Sequence, residues 1–200
     1  KWVATGLEEP MTTHADRFKY NTGYGMSAYD KGSIFLSQLQ YVIGKENFDN
    51  TLKRYFNDWS FKHPKPNDFI RSAEKVSGLE LDWYLLDWAQ STMTIDYSIN
   101  SLYGVDNKTR VVLKRIGQMG MPIDLRVELL NGEVLDYNIP MTKMRGSKPL
   151  QSSTLLYSWS WAKPYYELWI DIDSKNISKI TIDPKNEMAD INRNNNYLVL

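Results

Sequence analysis

Histidine and cysteine are the residue types that most often carry metal or nucleophilic chemistry, and this chain holds few of them. His14 and His63 are the only histidines, and there is no cysteine. The two histidines do not stand in an H-E-x-x-H spacing, which would place two imidazoles on one face of a helix. No G-x-S-x-G frame and no glycine-rich phosphate loop is present. A zinc site would need both histidines plus carboxylates from separate loops, so the sequence argues against one within this chain.

The individual candidates near these positions favour plain structural roles. We expect His14 to be a loop histidine bonded to the backbone, and His63, which precedes Pro64 in a polar linker, to be a surface residue. Glu8 and Glu9 are adjacent, so their side chains should diverge, and a solvated turn is the favoured interpretation. None of these residues predicts catalysis by itself.

Two tyrosines stand in a more informative segment. Tyr24 and Tyr29 precede a predicted helix that opens Asp30-Lys31-Gly32. On residue type alone, each tyrosine is best interpreted as a core residue whose hydroxyl bonds a backbone group. Gly32 is unfavourable near the start of a helix, so we expect another element to pack closely against it.

A cluster of aromatic residues lies late in the chain. Such a cluster could form a sugar-stacking platform, but aromatic rings also fill small β-sheet cores and domain interfaces, and we favour that second interpretation. Its members are Tyr157, Trp159, Trp161, Tyr165, Tyr166 and Trp169.

The elements that must position these residues change character near Thr94. Before it, apolar residues recur at helical spacing and predict four helices. The first spans about 28–43 and the second about 46–59. The third is capped by Asn67 or Asp68 and ends at Gly78, and the fourth spans about 81–90.

After Thr94 the apolar residues alternate and predict short strands. The clearest hairpin lies at Asn131-Gly132, where we expect a type I′ turn with positive φ at both residues. Several such strands suggest an antiparallel sandwich of the immunoglobulin-like kind. We therefore predict a helical unit over 1–93, a β-sandwich over 94–190, and a tail over 191–200 that is loosely held or paired with sequence outside the chain.

Composition excludes some classes of function. The 24 basic and 24 acidic residues balance, so no global field favours nucleic acid. No stretch reaches the roughly 20 apolar residues that a membrane helix needs. The chain opens Lys1-Trp2-Val3 without a signal segment, so we expect it to be the interior of a longer protein. Its lack of cysteine does not fix the compartment.

The order of these motifs resembles a known family. A tyrosine followed by Asp-Lys-Gly, an apolar helix, a second helix, "FKHPKPNDF", "EKVSGLELDWYLLDWAQST" and "MTIDYSI" is similar to the M1 (gluzincin) zinc aminopeptidases. The likeness runs from Glu9 to at least Ile99 and is closest to bacterial members with a short C-terminal region. It implies an α+β multidomain fragment: the helical end of a thermolysin-like catalytic domain, followed by the small β-sandwich.

The resemblance also implies roles for both tyrosines. In that family the tyrosine at the Tyr29 position directs its phenol at the tetrahedral intermediate of peptide hydrolysis, and Tyr24 matches a second tyrosine near the active site. The family's H-E-x-x-H helix, third zinc ligand and G-x-M-E-N segment are missing here and are expected upstream. The implied parent is a zinc enzyme acting on peptide substrates, and the isolated chain is expected to be inactive without the absent N-terminal and zinc-bearing domains.

A rival hypothesis remains from the residues themselves. The chain would then be a non-catalytic binding module whose β-sandwich and aromatic cluster recognise sugar or protein. An H-E-x-x-H motif upstream in the reading frame would decide between the two.

Overall fold

The computed structural model describes residues 3–200; the first two residues of the predicted helical unit lie outside it. The chain forms two compact units. The first comprises the residues up to Met93 together with Lys143–Lys148, and the second comprises Thr94–Thr142 and Pro149–Leu200.

The first unit is helical. Its helices are α1 (Asn21–Gly25), which continues through a π-helical turn (Met26–Asp30) into α2 (Lys31–Ile43), then α3 (Lys45–Trp59), α4 (Pro66–Ser77) and α5 (Asp82–Ala89). The last three match the predicted helices closely, because the apolar spacing that defines a buried helical stripe is local. The first predicted helix, from about 28, covers part of the π turn and all of α2.

The helix ends follow local chemistry. Gly78 ends α4 with φ of 72°, a left-handed conformation that glycine adopts without steric cost. The start of α4 differs from the prediction: the helix begins at Pro66, and the Asp68 carboxylate accepts the Lys65 N–H at 2.7 Å. Asp68 therefore reaches back over the first turn from inside the helix, because Pro66 already supplies a preset first helical residue.

The core of the first unit is centred on Tyr84 of α5. Its side chain is fully buried, and its hydroxyl donates to the Phe35 carbonyl of α2 at 2.5 Å. The ring lies 5.0 Å from that of Phe35 and 6.0 Å from that of Trp88. The ring contact and the hydrogen bond to Phe35 together fix α5 against α2.

The second unit contains two sheets. The three-stranded sheet has the order β1-β2-β6, and the five-stranded sheet has the order β5-β4-β3-β7-β8. The strands are β1 (Tyr97–Val105), β2 (Lys108–Arg115), β3 (Ile123–Leu129), β4 (Val134–Ile139), β5 (Thr154–Leu155), β6 (Tyr165–Ile170), β7 (Ile177–Ile182) and β8 (Tyr197–Val199). All pairs are antiparallel except β4–β5, which is parallel.

The predicted fold class, a helical part followed by mainly antiparallel β structure, is confirmed. Alternation along β3 buries Ile123, Leu125, Val127 and Leu129 as the sequence indicates. The immunoglobulin-like type of the sandwich stays a prediction. In the predicted tail, β8 pairs with β7.

The predicted turn type at Asn131-Gly132 is wrong. Only Gly132 has positive φ there, and four residues separate the end of β3 at Leu129 from the start of β4 at Val134. The Asn131 side chain accepts the Glu133 N–H at 2.9 Å, which favours the wider loop. A two-residue connection with positive φ at both positions occurs instead at Asp106 and Asn107, between β1 and β2.

No helix among the described residues is long and apolar enough to cross a membrane.

Candidate active-site segment

The segment that carries both candidate tyrosines is a helix interrupted by one wide turn. The Lys31 N–H donates to the Met26 carbonyl, five residues back, where an α-helix would use the fourth. Isolated π turns of this kind are uncommon within α-helices and frequently occur at functional sites. Tyr29 lies within this turn, and Tyr24 lies in the helical turn before it.

The wide turn changes which residues share a face. In an uninterrupted α-helix, residues five apart lie about 140° apart around the axis. A turn closed by an i→i−5 bond holds more residues and so reduces that angle. The π turn therefore brings Tyr24 and Tyr29 toward the same side of the helix.

The inner face of this helix is fixed by small or anchored residues. Gly23, Ser27 and Lys31, four residues apart, are all buried. The Ser27 hydroxyl donates to the Glu9 carbonyl at 3.0 Å. Tyr29, between Ser27 and Lys31, is by contrast 71% exposed.

The two candidate tyrosines differ from the core tyrosines. Tyr24 is 37% exposed, with its ring edge-on to Phe18 at 5.6 Å, and within the described residues neither its hydroxyl nor that of Tyr29 has a hydrogen-bond partner. Tyr84 and Tyr97 are fully buried with bonded hydroxyls, and burial raises the pKa of Tyr97 to about 12. The interpretation of a buried, backbone-bonded core residue therefore describes Tyr84 and Tyr97, and it does not describe Tyr29.

Beside this turn lies a buried ion pair that the sequence did not reveal. The Lys31 ammonium contacts the Glu8 carboxylate at 2.5 Å, and both side chains are only 10% exposed. The same ammonium donates to the Ser91 carbonyl at 2.9 Å. The interpretation of Glu8 as part of a solvated turn is therefore wrong.

Glu8 and Glu9 do diverge as expected. The Glu9 side chain accepts the Lys19 N–H at 3.1 Å, while Glu8 turns inward. One signal for the buried partner was present in the sequence: Lys31 stands four residues before Phe35, on the buried stripe of α2. A lysine at such a position needs a carboxylate or carbonyl partner, although its spacing cannot say which.

The expected close packing on Gly32 is not found among the described residues. A side-chain carbon at Gly32 would meet no described atom within 4 Å beyond its own helix backbone and its two chain neighbours. The helix-propensity cost at this position therefore has no compensating contact among the described residues.

The two histidines lie at exposed positions outside the helices. His14 Nδ1 accepts the Asp16 N–H at 3.3 Å in an exposed loop, the backbone-bonded role that the sequence favoured, and His63 is exposed. Within residues 3–200, no three side chains of histidine, cysteine, aspartate or glutamate lie close enough to hold a metal. The donor set of the described residues does not fit a zinc ion.

The late aromatic cluster divides into two groups. Trp159 is buried, and its ring lies 5.4 Å from Tyr97 and 5.3 Å from Tyr166, as the core interpretation predicted. Four of its members are instead more than 45% exposed: Tyr157, Trp161, Tyr165 and Trp169.

One member of that exposed group, Trp169, lies in a row of side chains on one sheet face. Tyr103, Arg110 and Trp169 are directly opposite one another across β1, β2 and β6. The Arg110 guanidinium lies 6.0 Å from the Tyr103 ring centre, and it also pairs with Glu167 at 2.6 Å.

Comparison with known proteins gives one family match, in the first unit, and a similar solved structure. Residues 4–88 match the model of the peptidase family M1 domain. Among solved structures, the chain is similar to the crystal structure of Legionella pneumophila aminopeptidase A in complex with aspartic acid, with 17% identity and a TM-score of 0.48. That match covers 80% of this chain and 17% of the other. No curated protein sequence matches the chain.

The segment that matches the peptidase family M1 domain thus includes both tyrosines and the π turn. The resemblance drawn from the tyrosine and Asp-Lys-Gly motifs is confirmed over this segment, and a peptidase-related function is supported.

Proposed function

We propose that this chain is the C-terminal part of a zinc-dependent aminopeptidase, in which Tyr29 stabilises the developing oxyanion of peptide hydrolysis. The observation that supports this most is the exposed phenol of Tyr29, which has no hydrogen-bond partner among residues 3–200. It lies on a π turn inside the segment that matches the M1 domain. Peptide substrate and zinc are, on this proposal, bound with residues outside this chain.

The chemistry of such a phenol is well suited to the task. Attack of water on a peptide carbonyl builds negative charge on the carbonyl oxygen, and a preorganised neutral donor stabilises that charge. Tyr29 can direct its O–H at a substrate because no group among the described residues competes for it. Tyr24, on the neighbouring turn, is proposed as a weaker second contributor.

The zinc ligands must then come from residues that this chain does not contain. The two histidines are loop residues in the first unit, and His14 already accepts a backbone N–H through one ring nitrogen. When bound, zinc would supply the activated water and polarise the substrate carbonyl. The residues of this chain would supply the opposing hydrogen bond.

The proposal is tested by comparing the full-length protein with the 200-residue chain on fluorogenic aminoacyl substrates. We expect zinc-dependent release of the N-terminal residue by the full-length protein, and none from a substrate whose amino group is acetylated. The chain alone should bind no stoichiometric zinc and release nothing. Activity of the chain alone, or cleavage of the acetylated substrate at the same rate, would refute an exopeptidase completed by upstream residues.

A second candidate function rests on the exposed sheet face. The row of Tyr103, Arg110 and Trp169 presents two rings and a cation to solvent, and we propose it as a sugar-binding platform. Titration with soluble oligosaccharides should quench tryptophan fluorescence in the chain but not in Trp169→Ala. An unchanged spectrum at millimolar sugar would exclude this function.

A further inference from the structure

We propose that Lys31 is a positioning residue for Tyr29, fixing the π turn through its buried contacts with Glu8 and Ser91. This inference rests on the proposed function of Tyr29. It assigns a role to an ion pair that lies on the face of the helix opposite the candidate phenol.

Lys31 closes the π turn with its backbone and anchors it with its side chain. Its N–H makes the i→i−5 bond to Met26 that defines the turn. Its ammonium, buried on the inner side, holds Glu8 at 2.5 Å and the Ser91 carbonyl at 2.9 Å. One residue therefore connects the turn to two segments that are distant in sequence.

A second anchor lies one turn earlier on the same face. The buried Ser27 hydroxyl donates to the Glu9 carbonyl, so adjacent residues of the 8–9 segment hold both ends of the π turn. The 8–12 segment is itself held by Thr12, whose N–H donates to the Ala89 carbonyl at 3.1 Å. The anchors thus belong to a connected framework.

The turn needs such anchors because a helix intrinsically prefers i→i−4 hydrogen bonds to the i→i−5 bond found here. A π turn has one residue more than the α-helical turn it replaces. If the segment relaxed to α-helix, the residues on one side of it would rotate by about 100° relative to the other. Tyr24 and Tyr29 would then no longer approach one face.

Stability alone does not explain the pair. Buried ion pairs are often matched or exceeded in stability by apolar side chains of similar volume, whereas removing one partner is strongly destabilising. A geometric role is the better explanation for a charged pair at this position. Replacing both partners with apolar side chains therefore separates the positioning role of the pair from its effect on stability.

The first experiment uses the full-length enzyme with the paired substitution Lys31→Met/Glu8→Leu. We expect folding and zinc content to be retained, KM to stay within about twofold, and kcat to fall on the order of tenfold or more, as for a misplaced catalytic group. In a Tyr29→Phe background the same pair should cause almost no further loss, because both changes remove one interaction. Unchanged kcat in the paired variant would overturn the proposal.

Two further variants keep the test decisive. Lys45→Met is the matched control, since Lys45 forms an exposed pair with Asp49 at 2.6 Å, and we expect kcat to be unaffected. If the paired apolar variant does not fold, Glu8→Gln weakens the anchor with little change in volume. It should lower kcat and leave KM nearly unchanged, and a normal kcat would overturn the proposal.

A measurement that does not depend on activity uses the 200-residue chain. Backbone hydrogen exchange over residues 26–30 should be faster by tenfold or more in Lys31→Met/Glu8→Leu, and unchanged in Lys45→Met. Equal exchange in all three proteins would show that Lys31 does not hold the turn. If Tyr29→Phe retains full kcat, the proposed role of Tyr29 fails by itself, and exchange still decides the role of Lys31.

Discussion

At the scale of single residues, tyrosines in this chain occupy two contrasting environments. Tyr84 has a buried hydroxyl bonded to Phe35, and desolvation raises its pKa well above the ordinary value of 10.0. Such a phenol has a structural role. Tyr29 is mostly exposed, so removing its hydroxyl should change chemistry with little effect on folding.

Gly32 offers a test of local helix energetics. We expect Gly32→Ala to raise the free energy of unfolding of the isolated chain by about 0.5–1 kcal/mol, because alanine loses less backbone entropy and meets no neighbour here. The shift in urea midpoint measures it. Gly78→Ala is the control and should destabilise, since φ there is 72°. A destabilised Gly32→Ala would reveal a contact on this face that the described residues do not show.

At the scale of elements, the β3–β4 hairpin carries a cross-strand ion pair with a defined pH dependence. Arg126 donates two hydrogen bonds of 2.8 Å to Asp136 directly opposite, and they hold the pKa of that carboxyl below its ordinary value of 3.8. A carboxyl whose pKa is lower in the folded state stabilises the fold fully at pH values above its unfolded-state pKa. This stabilisation is lost as the pH falls through the folded-state pKa.

We therefore expect Asp136→Asn to destabilise the chain at pH 7 by up to about 1 kcal/mol, as for a partly exposed pair. The difference from the natural chain should shrink as pH falls from about 5 to below 3.8. Urea unfolding at several pH values measures it. Asp190, whose pKa burial raises, acts with the opposite sign, so only the comparison with the variant isolates Asp136. A difference that is constant over this pH range would contradict the assignment.

The elements also show what sequence can and cannot specify. Residues 45–59 and 66–77 were predictable because apolar residues recur every three or four positions along one segment. The π turn at 26–30 was not, because it carries no distinct spacing. Likewise, nothing in the local pattern connects Glu8 to Lys31, since only the folded chain brings them together.

The turns give a similar lesson at shorter range. Asn131-Gly132 has the residues of a type I′ turn, yet the Asn131 side chain stabilises a wider loop. Asp106 and Asn107 adopt positive φ without any glycine, because the strand register on both sides requires a two-residue connection. A side-chain hydrogen bond therefore decided the first turn and strand register the second, and residue type alone specified neither.

At the scale of the whole molecule, the first unit leaves apolar side chains in solvent. Leu52 and Phe56, one turn apart on α3, are 40% and 69% exposed. Exposed apolar clusters on a soluble chain favour association. We expect the isolated chain to self-associate with rising concentration and Phe56→Ser to weaken this in sedimentation velocity, while Lys53→Ser on the same helix should not. A monomer at all concentrations would contradict this prediction.

The central claim is that Tyr29 stabilises the oxyanion in the full-length enzyme, and Tyr29→Phe tests it most directly. The hydroxyl should act mainly in the transition state, so kcat should fall by about a hundredfold or more, near 3 kcal/mol, with a much smaller change in KM. Thermal unfolding and zinc content should remain as in the natural enzyme, and Tyr24→Phe should have a smaller effect. A folded, fully metallated Tyr29→Phe enzyme with near-normal kcat would show that this tyrosine has no catalytic role.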